Sequence, residues 1–400
     1  MNTPLGNQTL AAILRHDSKV TTYKIALLRA INDVVLAFPD SGRESAETLS
    51  DVAIPLHLLA ERWVAYYWPF MDVQQPIYQG PRAVRDGVTR NDLDFRPMLT
   101  RLRQAWEQFQ GVPSLPADGF LLLTDLRTPR RKEIYPAELR DTFDATVRII
   151  SKTIQMPIRY AGAGNWTIFD KPSLWRDLMG RAGISAVPGT ERGSPCLVIN
   201  KKLWEAFQEL SLWVEALCIH EWCLFTESAQ QSTVHEDKGQ LQVDRGYIYC
   251  LLTARPDNRR PLTWERNQIE ILMIEGVNFT CPWTQKVLRN ADQYDLDHLL
   301  PLAIYPINEL WNLLPVDRRF NQHVKRHRIP SWERLQSAEP YMAQGYANYE
   351  KSLPLREAMH QDTRLRFTRI GMTGNFSATL AGKTIHFIEE VARARSVVRF

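Results

Sequence analysis

At 400 residues, 44% hydrophobic and 24% charged, the chain has the make-up of a folded protein of two or three domains and is excluded from the disordered class. A net charge of +4 permits a nucleic-acid partner without requiring one. The five cysteines form no C-x-x-C pair, which argues against a disulfide framework or a Cys-rich zinc knuckle; the opening MNTPLGNQTLAAILRHDSKV lacks a secretory apolar core, and no apolar run reaches bilayer length. A reducing, cytoplasmic location without a membrane is expected.

In chain order, YKIALLRAINDVVLAF (23–38) repeats apolar residues at three- and four-residue spacings and predicts an amphipathic helix. PLHLLAERWVAYYWPF (55–70) predicts a second helix that stops at Pro69. Lys19, Lys24 and Arg29 are candidates for a binding face, although single cations beside a helix are ordinarily its solvated side. Residues 94–109 predict another helix, and GVPSLPADG a subdomain edge. Arg127, Arg130, Arg131 and Lys132 cluster positive charge. From Thr146 to Tyr160, β-branched runs alternate with polar residues and predict extended chain; AGAGNW then reads as a turn, wrongly spaced to cradle phosphate. Residues 201–226 predict a Trp- and Leu-rich helix. Within it His220, with Cys218 and Cys223, has no further ligand group nearby and reads as a core histidine between buried thiols.

Residues 264–275 predict a helix ended by Gly276. VNFTCPWT leads towards a second extended piece ending at Tyr294 to His298, which Pro301 stops. A loop follows to Trp311, Asn312-Leu-Leu-Pro closes it, and Val316 to Arg326 has helical spacing. Hairpin, loop, helix is the implied order.

That stretch concentrates the chemistry. Phosphodiester hydrolysis needs an attacking water, a base for its proton, and positive charge facing the phosphorane. His298 is the base candidate because imidazole titrates near neutral pH. Asp297 points to the other face of the strand and suits a hard divalent ion, to which Asn321 can bring a neutral oxygen. The amide of Asn312 can bridge backbone groups and pin the loop that carries His298. Lys325, one turn beyond Asn321, could meet a phosphate oxygen. Asp317 and Glu309 read as capping or solvated carboxylates.

The ordered set YDLDHLLPLA, NELWNLLP, RRFNQHVK and HRIPS resembles the HNH nuclease family, with its beta-beta-alpha-metal fold, in the Asp-His variant found in many bacterial members, including the HNH domain of CRISPR effector nucleases. The resemblance implies that Asp297 and Asn321 are metal ligands, His298 the general base, and Asn312 the central structural asparagine. It implies Mg²⁺, with Mn²⁺ as a substitute, and cleavage of DNA, less often RNA, to 5′-phosphate and 3′-hydroxyl ends. Cys281 and Trp283 fall where relatives keep a packing element. Lys325 follows Asn321 by four residues instead of the commoner three, so His323 or Arg326 stand as alternatives for its role. The zinc-holding cysteine pairs of some relatives are missing, which leaves packing to hold the fold.

The expected fold class is α+β: a helical region over 1–112, a mixed α/β accessory or DNA-positioning region over 113–250, an HNH domain over 251–335 and a C-terminal extension over 336–400. TIHFIEEVARARSVVRF within that extension reads as a strand followed by a helix. Arg318 and Arg319 beside the site, with Arg130 and Arg131, are expected to contact nucleic-acid backbone. The front half looks like regions that accompany such domains in bacterial restriction or anti-phage defence proteins. The leading expectation is a DNA endonuclease in defence; the alternatives are a binding subunit whose nuclease is gated by a protein partner, and an RNA-cleaving enzyme. One site makes one cut, so double-strand cleavage implies a homodimer or two successive encounters.

Overall fold

Apolar spacing accounts for most of the helices, and the computed structural model arranges them in two units: residues 1–37 with 41–255, and residues 38–40 with 256–400. The residues described are 6, 8–11, 21–42, 49–80, 83–85, 88–90, 92–161, 168–231, 243–255, 262–302, 304–305, 307–367, 370–371 and 374–400. Lys19 and, after Ala161, the rest of the AGAG turn lie outside them. A mostly helical N-terminal region is followed by a strand–strand–helix element and a helical C-terminal part, which is the predicted α+β class.

In the first unit, α1 (Tyr23–Ala37) is buried around nearly its whole circumference, as an interior helix is. Arg29 is therefore not on a binding face. It is fully buried, donates from Nη2 to the Leu252 carbonyl at 2.9 Å and lies 4.4 Å from the centre of the Tyr66 ring. Strand β1 (Asp51–Pro55) leads into α2 (Leu56–Tyr67), which tightens into a short 3₁₀ turn through Pro69. α3 spans Arg96–Gln110 and α4 spans Ala137–Thr153.

The extended chain expected from Thr146 is instead α4 followed by a short helix, Gln155–Tyr160. Leu139, Phe143, Thr146, Val147 and Ile150 fall on one helical face and are buried, and that pattern outweighs the β-propensity of the branched residues. Strands β2 (Ser173–Leu174), β3 (Ile184–Ala186) and β4 (Pro195–Ile199) join β1 in the order β2-β4-β1-β3, with β1 parallel to β3 and antiparallel to β4. The long helix α5 (Lys201–Gln231) inserts Trp222 against Tyr67, ring centroids 5.0 Å apart. Cys218 and Cys223 are buried on it, but His220 is exposed and is not a core histidine.

In the second unit, α6 (Thr263–Ile274) ends at Gly276, whose φ of 88° needs a residue without Cβ. Strands β5 (Phe279–Thr280) and β6 (Val287–Leu288) form a small hairpin around the CPWTQK turn, closed by Cys281 N–H donating to Lys286 at 2.9 Å. Strand β7 (Tyr294–His298) pairs antiparallel with β8 (Leu313–Asp317). Helical spacing was expected from Val316; that residue is instead strand, paired with Asp295, and the helix starts at Arg318.

Helices α7 (Trp332–Tyr349), α8 (Leu353–Arg366) and α9 (Phe376–Arg395) complete the unit. The tail expected as a strand and a helix is a single helix, α9, with only a bridge between Ile329 and Arg399 beyond it. On α7, Tyr346 and Tyr349 donate their hydroxyls to the carbonyls of Trp311 (2.5 Å) and Leu313 (2.8 Å), satisfying backbone acceptors at the start of β8. A Cβ at Gly345 would come within 2.8 Å of the Leu314 Cδ2 methyl, so α7 packs closely on β8 and a larger residue there would push that methyl aside.

Candidate active site

Alternation along β7 puts Asp295 and Asp297 on one face and Tyr294, Leu296 and His298 on the other. The partner strand LLPVD accommodates Pro315 opposite Leu296 because in a two-stranded ribbon alternate N–H groups point away from the ladder. Between the strands, Asn312 is fully buried. Its side chain accepts from Leu300 N–H at 2.8 Å and donates to the Leu300 carbonyl at 3.1 Å, while its own carbonyl accepts from Leu299 N–H at 2.8 Å.

Lys325 is not beside Asn321 on an open face. Asn321–Lys325 is a turn of π-helix, closed by Arg326 N–H donating to the Asn321 carbonyl at 2.8 Å. Lys325 is fully buried under β7. Its Nζ donates to Asp297 Oδ1 at 3.2 Å and to the His298 carbonyl at 2.8 Å. The same ammonium lies 2.9 Å from Asp297 Oδ2, but off the line of a hydrogen bond, so that buried oxygen has no aligned donor. Burial pushes the Asp297 carboxyl up to about 6 despite the attraction of Lys325, and Asp295 adds to the rise.

The His298 ring is nearly enclosed, and its Nε2 lies 2.5 Å from Asn308 Oδ1. Asn321 and Gln322 donate their amide hydrogens to Asp295 Oδ2, at 3.4 and 3.2 Å. Arg318 joins them: Nε donates to Asp295 Oδ1 at 3.1 Å, and Nη2 to the carbonyls of Ala291 (2.9 Å) and Tyr294 (3.0 Å). Arg318, expected on phosphate, makes these bonds from a side chain that stays 39% exposed, and Arg319 is exposed as well. Arg130 and Arg131 belong to the other unit, where Arg131 pairs with Asp125 at 3.4 Å.

Of the two bystander carboxylates, Asp317 caps the following helix by accepting from Phe320 N–H at 3.0 Å, and pairs with Lys286 at 2.8 Å. Glu309 is neither cap nor solvated: it is buried against Arg366 of α8, whose Nε donates to it at 3.0 Å.

Sequence reasoning missed Asp295 and Asn308. The two-residue spacing of Asp295 and Asp297 on a strand was the available signal for the first; no signal marked the second, since loop geometry alone brings it to His298.

An HNH endonuclease family matches residues 281–331, which include every one of these groups from Asp295 to Lys325. A second family, described as Domain of unknown function (DUF8808), matches residues 3–244, more than half of the chain. The chain belongs to the DUF8808 family. It carries an HNH endonuclease domain behind the DUF8808 region. No curated protein and no solved structure matches the chain. No helix among the described residues is long and apolar enough to cross a membrane.

Among the described residues, no group of three or more His, Cys, Asp and Glu side chains is placed to hold a metal. The donors the HNH domain does offer are an Asp–Asn set of the kind that suits a hard cation keeping several waters. The buried Asp297 Oδ2 without an aligned donor, on a carboxylate whose ionisation burial disfavours, fits a divalent ion. With its amide nitrogen given to Asp295, Asn321 has its oxygen as the accepting end.

Proposed function

We propose that this chain is a metal-dependent endonuclease that hydrolyses phosphodiester bonds, nicking or degrading DNA in bacterial anti-phage defence. One observation carries the reading: within the HNH domain, consecutive residues of one strand present a desolvated carboxylate, Asp297, and an enclosed imidazole, His298, to opposite faces. His298 takes the proton of the attacking water. Asp297 and Asn321 hold Mg²⁺, or Mn²⁺ in its place; when bound, the ion supplies the positive charge that faces the phosphorane. The water oxygen bonds to phosphorus as the P–O3′ bond breaks, and the departing 3′-oxygen takes up a proton from solvent, leaving 5′-phosphate and 3′-hydroxyl ends.

Asn312 holds Leu299 and Leu300, and so keeps the turn after His298 in register. Lys325 acts on Asp297 instead of on phosphate. Arg318 and Arg319, with Arg130 and Arg131, contact nucleic-acid backbone, and residues 1–112 and 113–250 position the substrate for the domain over 251–335, buttressed by 336–400. The protein works in the cytoplasm.

A second reading has an observation of its own. The Lys325 ammonium sits against the carboxylate that the cation needs, which favours a nuclease held idle until a protein partner or the nucleic acid repositions that helix. The test is cleavage of supercoiled plasmid, with RNA in parallel, by the purified chain in Mg²⁺ or Mn²⁺. Nicked circles are expected, and His298→Ala should slow their formation by roughly 10²–10⁴-fold, the usual contribution of a general base. Binding without cleavage supports the gated reading, and faster cutting of RNA supports an RNA nuclease. Neither binding nor cleavage by the wild-type chain removes both.

A further inference from the structure

We infer that Asn308 is the residue that sets the tautomer and direction of the His298 ring, and that the Glu309–Arg366 ion pair holds Asn308 in place to do so. This inference rests on the nuclease reading of His298 for its catalytic consequence, though not for its geometry.

A carboxamide oxygen can only accept. With Asn308 Oδ1 at 2.5 Å from Nε2, the neutral ring must carry its hydrogen on Nε2, which puts the lone pair on Nδ1. Nδ1 is then the atom that receives a proton. A histidine base whose hydrogen is unassigned spends part of its time with the wrong nitrogen protonated. One acceptor fixed in space removes that fraction and stops the ring from flipping.

The acceptor must itself be fixed, and the segment around it is tied at several points. Ile307 N–H donates to the Tyr305 carbonyl at 2.9 Å, and Asn312 N–H to the Glu309 carbonyl at 2.9 Å. Glu309 is buried and receives Arg366 Nε at 3.0 Å, with a second contact from Arg366 Nη2 and one from Trp311 Nε1. Arg366 Nη1 also donates to the Tyr305 hydroxyl at 3.2 Å, and Leu310 N–H donates to Asp362 Oδ2 at 2.8 Å. Both anchors, Asp362 and Arg366, lie on α8, outside the 281–331 match. The base is therefore oriented from beyond the HNH motif, by residues of α8.

The experiment uses the full chain with ¹⁵N-labelled histidine, wild type against Asn308→Ala and Asn308→Asp, with thermal melting to verify folding. Long-range ¹H–¹⁵N spectra at alkaline pH should show His298 as the Nε2–H tautomer in the wild type and a mixture in Asn308→Ala. Single-turnover plasmid cleavage should fall about a hundredfold in Asn308→Ala, within the range set for acid–base positioning, with the plasmid concentration for half-maximal rate unchanged. Asn308→Asp keeps the acceptor, and both its tautomer and rate should return to near wild type. Arg366→Lys should move the tautomer in the same direction as Asn308→Ala, by less.

A wild-type Nδ1–H tautomer, or a tautomer and rate that Asn308→Ala leaves unmoved while the wild type cuts, overturns the inference and spares the nuclease reading. A wild-type chain that cuts nothing while Asn308→Ala still shifts the tautomer overturns the catalytic role of Asn308 through the failure of that reading.

Discussion

Two buried cation–carboxylate pairs lie in the second unit, one tied to β7 and one to the loop before β8, and they are built to different standards. Arg366 meets Glu309 with both ends of its fork, gives a third hydrogen bond to Tyr305, and lies against the Tyr305 and Phe387 rings, its centre 5.5 and 5.8 Å from theirs. Burial alone would lower the Arg366 pKa, but Glu309 and Tyr305 outweigh it and hold the guanidinium above its ordinary range. Lys325 meets Asp297 with one aligned hydrogen bond, leaves Oδ2 without an aligned donor, and fails to cancel the burial that raises the carboxyl. A planar fork matched to a carboxylate makes a closed pair, whereas a point charge on a flexible stem makes one that can exchange its partner. The first pair is suited to holding a loop. The second is suited to yielding its carboxylate to a divalent cation.

The largest effect should come from breaking the closed pair. Arg366→Ala leaves Glu309 charged and enclosed, which costs about 3–5 kcal/mol, and denaturant unfolding of the second unit should register it whether or not Mg²⁺ is present. Lys325→Met should cost less in metal-free buffer, and part of that loss should return with the ion. At a Mg²⁺ concentration about a hundred times its Kd, binding to the folded state adds roughly 2.7 kcal/mol. Melting with and without Mg²⁺ checks this. A larger Mg²⁺ response in Lys325→Met than in wild type, with none of Arg366→Ala recovered, supports the contrast; equal responses in all three chains would erase it.

What could be read from the chain divides along the same line. The helices 23–38, 55–70 and 201–226 were legible because apolar residues recur at three- and four-residue spacings within each. Asp297, His298, Asn312 and Asn321 could be picked out as candidates because their types and order within one short stretch match a chemical requirement, and all four fall within the HNH match over 281–331. Strand β8 was not legible, since Pro315 and the following basic run imitate a helix start, and only pairing with β7 makes LLPVD extended. Nor was the burial of Lys325, which depends on a π-turn that sequence spacing does not announce. Arg366 and Asn308 were out of reach for a different reason: they act through contacts between segments far apart in sequence, in a loop and a helix with no motif of their own. Arg29 misled because a cation within an apolar helix reads as solvated until the neighbouring helices are in place.

The smallest effect separates two aspartates on facing strands by the sign of their pH dependence. Burial raises the Asp317 carboxyl, but Lys286 and the N–H groups of Phe320 and Arg319 outweigh it, so it titrates below the ordinary carboxylate range. A depressed pKa means that the folded chain holds that proton less tightly than the unfolded one. Its stabilisation is therefore full above pH ~4 and is lost as pH falls through the folded value. Asp297 runs the other way. Raised to about 6 by burial, it favours the metal-free fold below pH ~4 and withdraws that support as pH rises through about 6. Because Lys286 is half exposed, Lys286→Met should cost only about 0–1 kcal/mol, present at pH 6 and absent near pH 2.5, in urea unfolding at the two values. Asp297→Asn should change stability with pH in the opposite sense, flattening the decline between about pH 4 and 6 in metal-free buffer. If the two variants altered the pH profile with the same sign, Asp297 would be an ordinary paired carboxylate, and its suitability for a cation would lose its electrostatic basis.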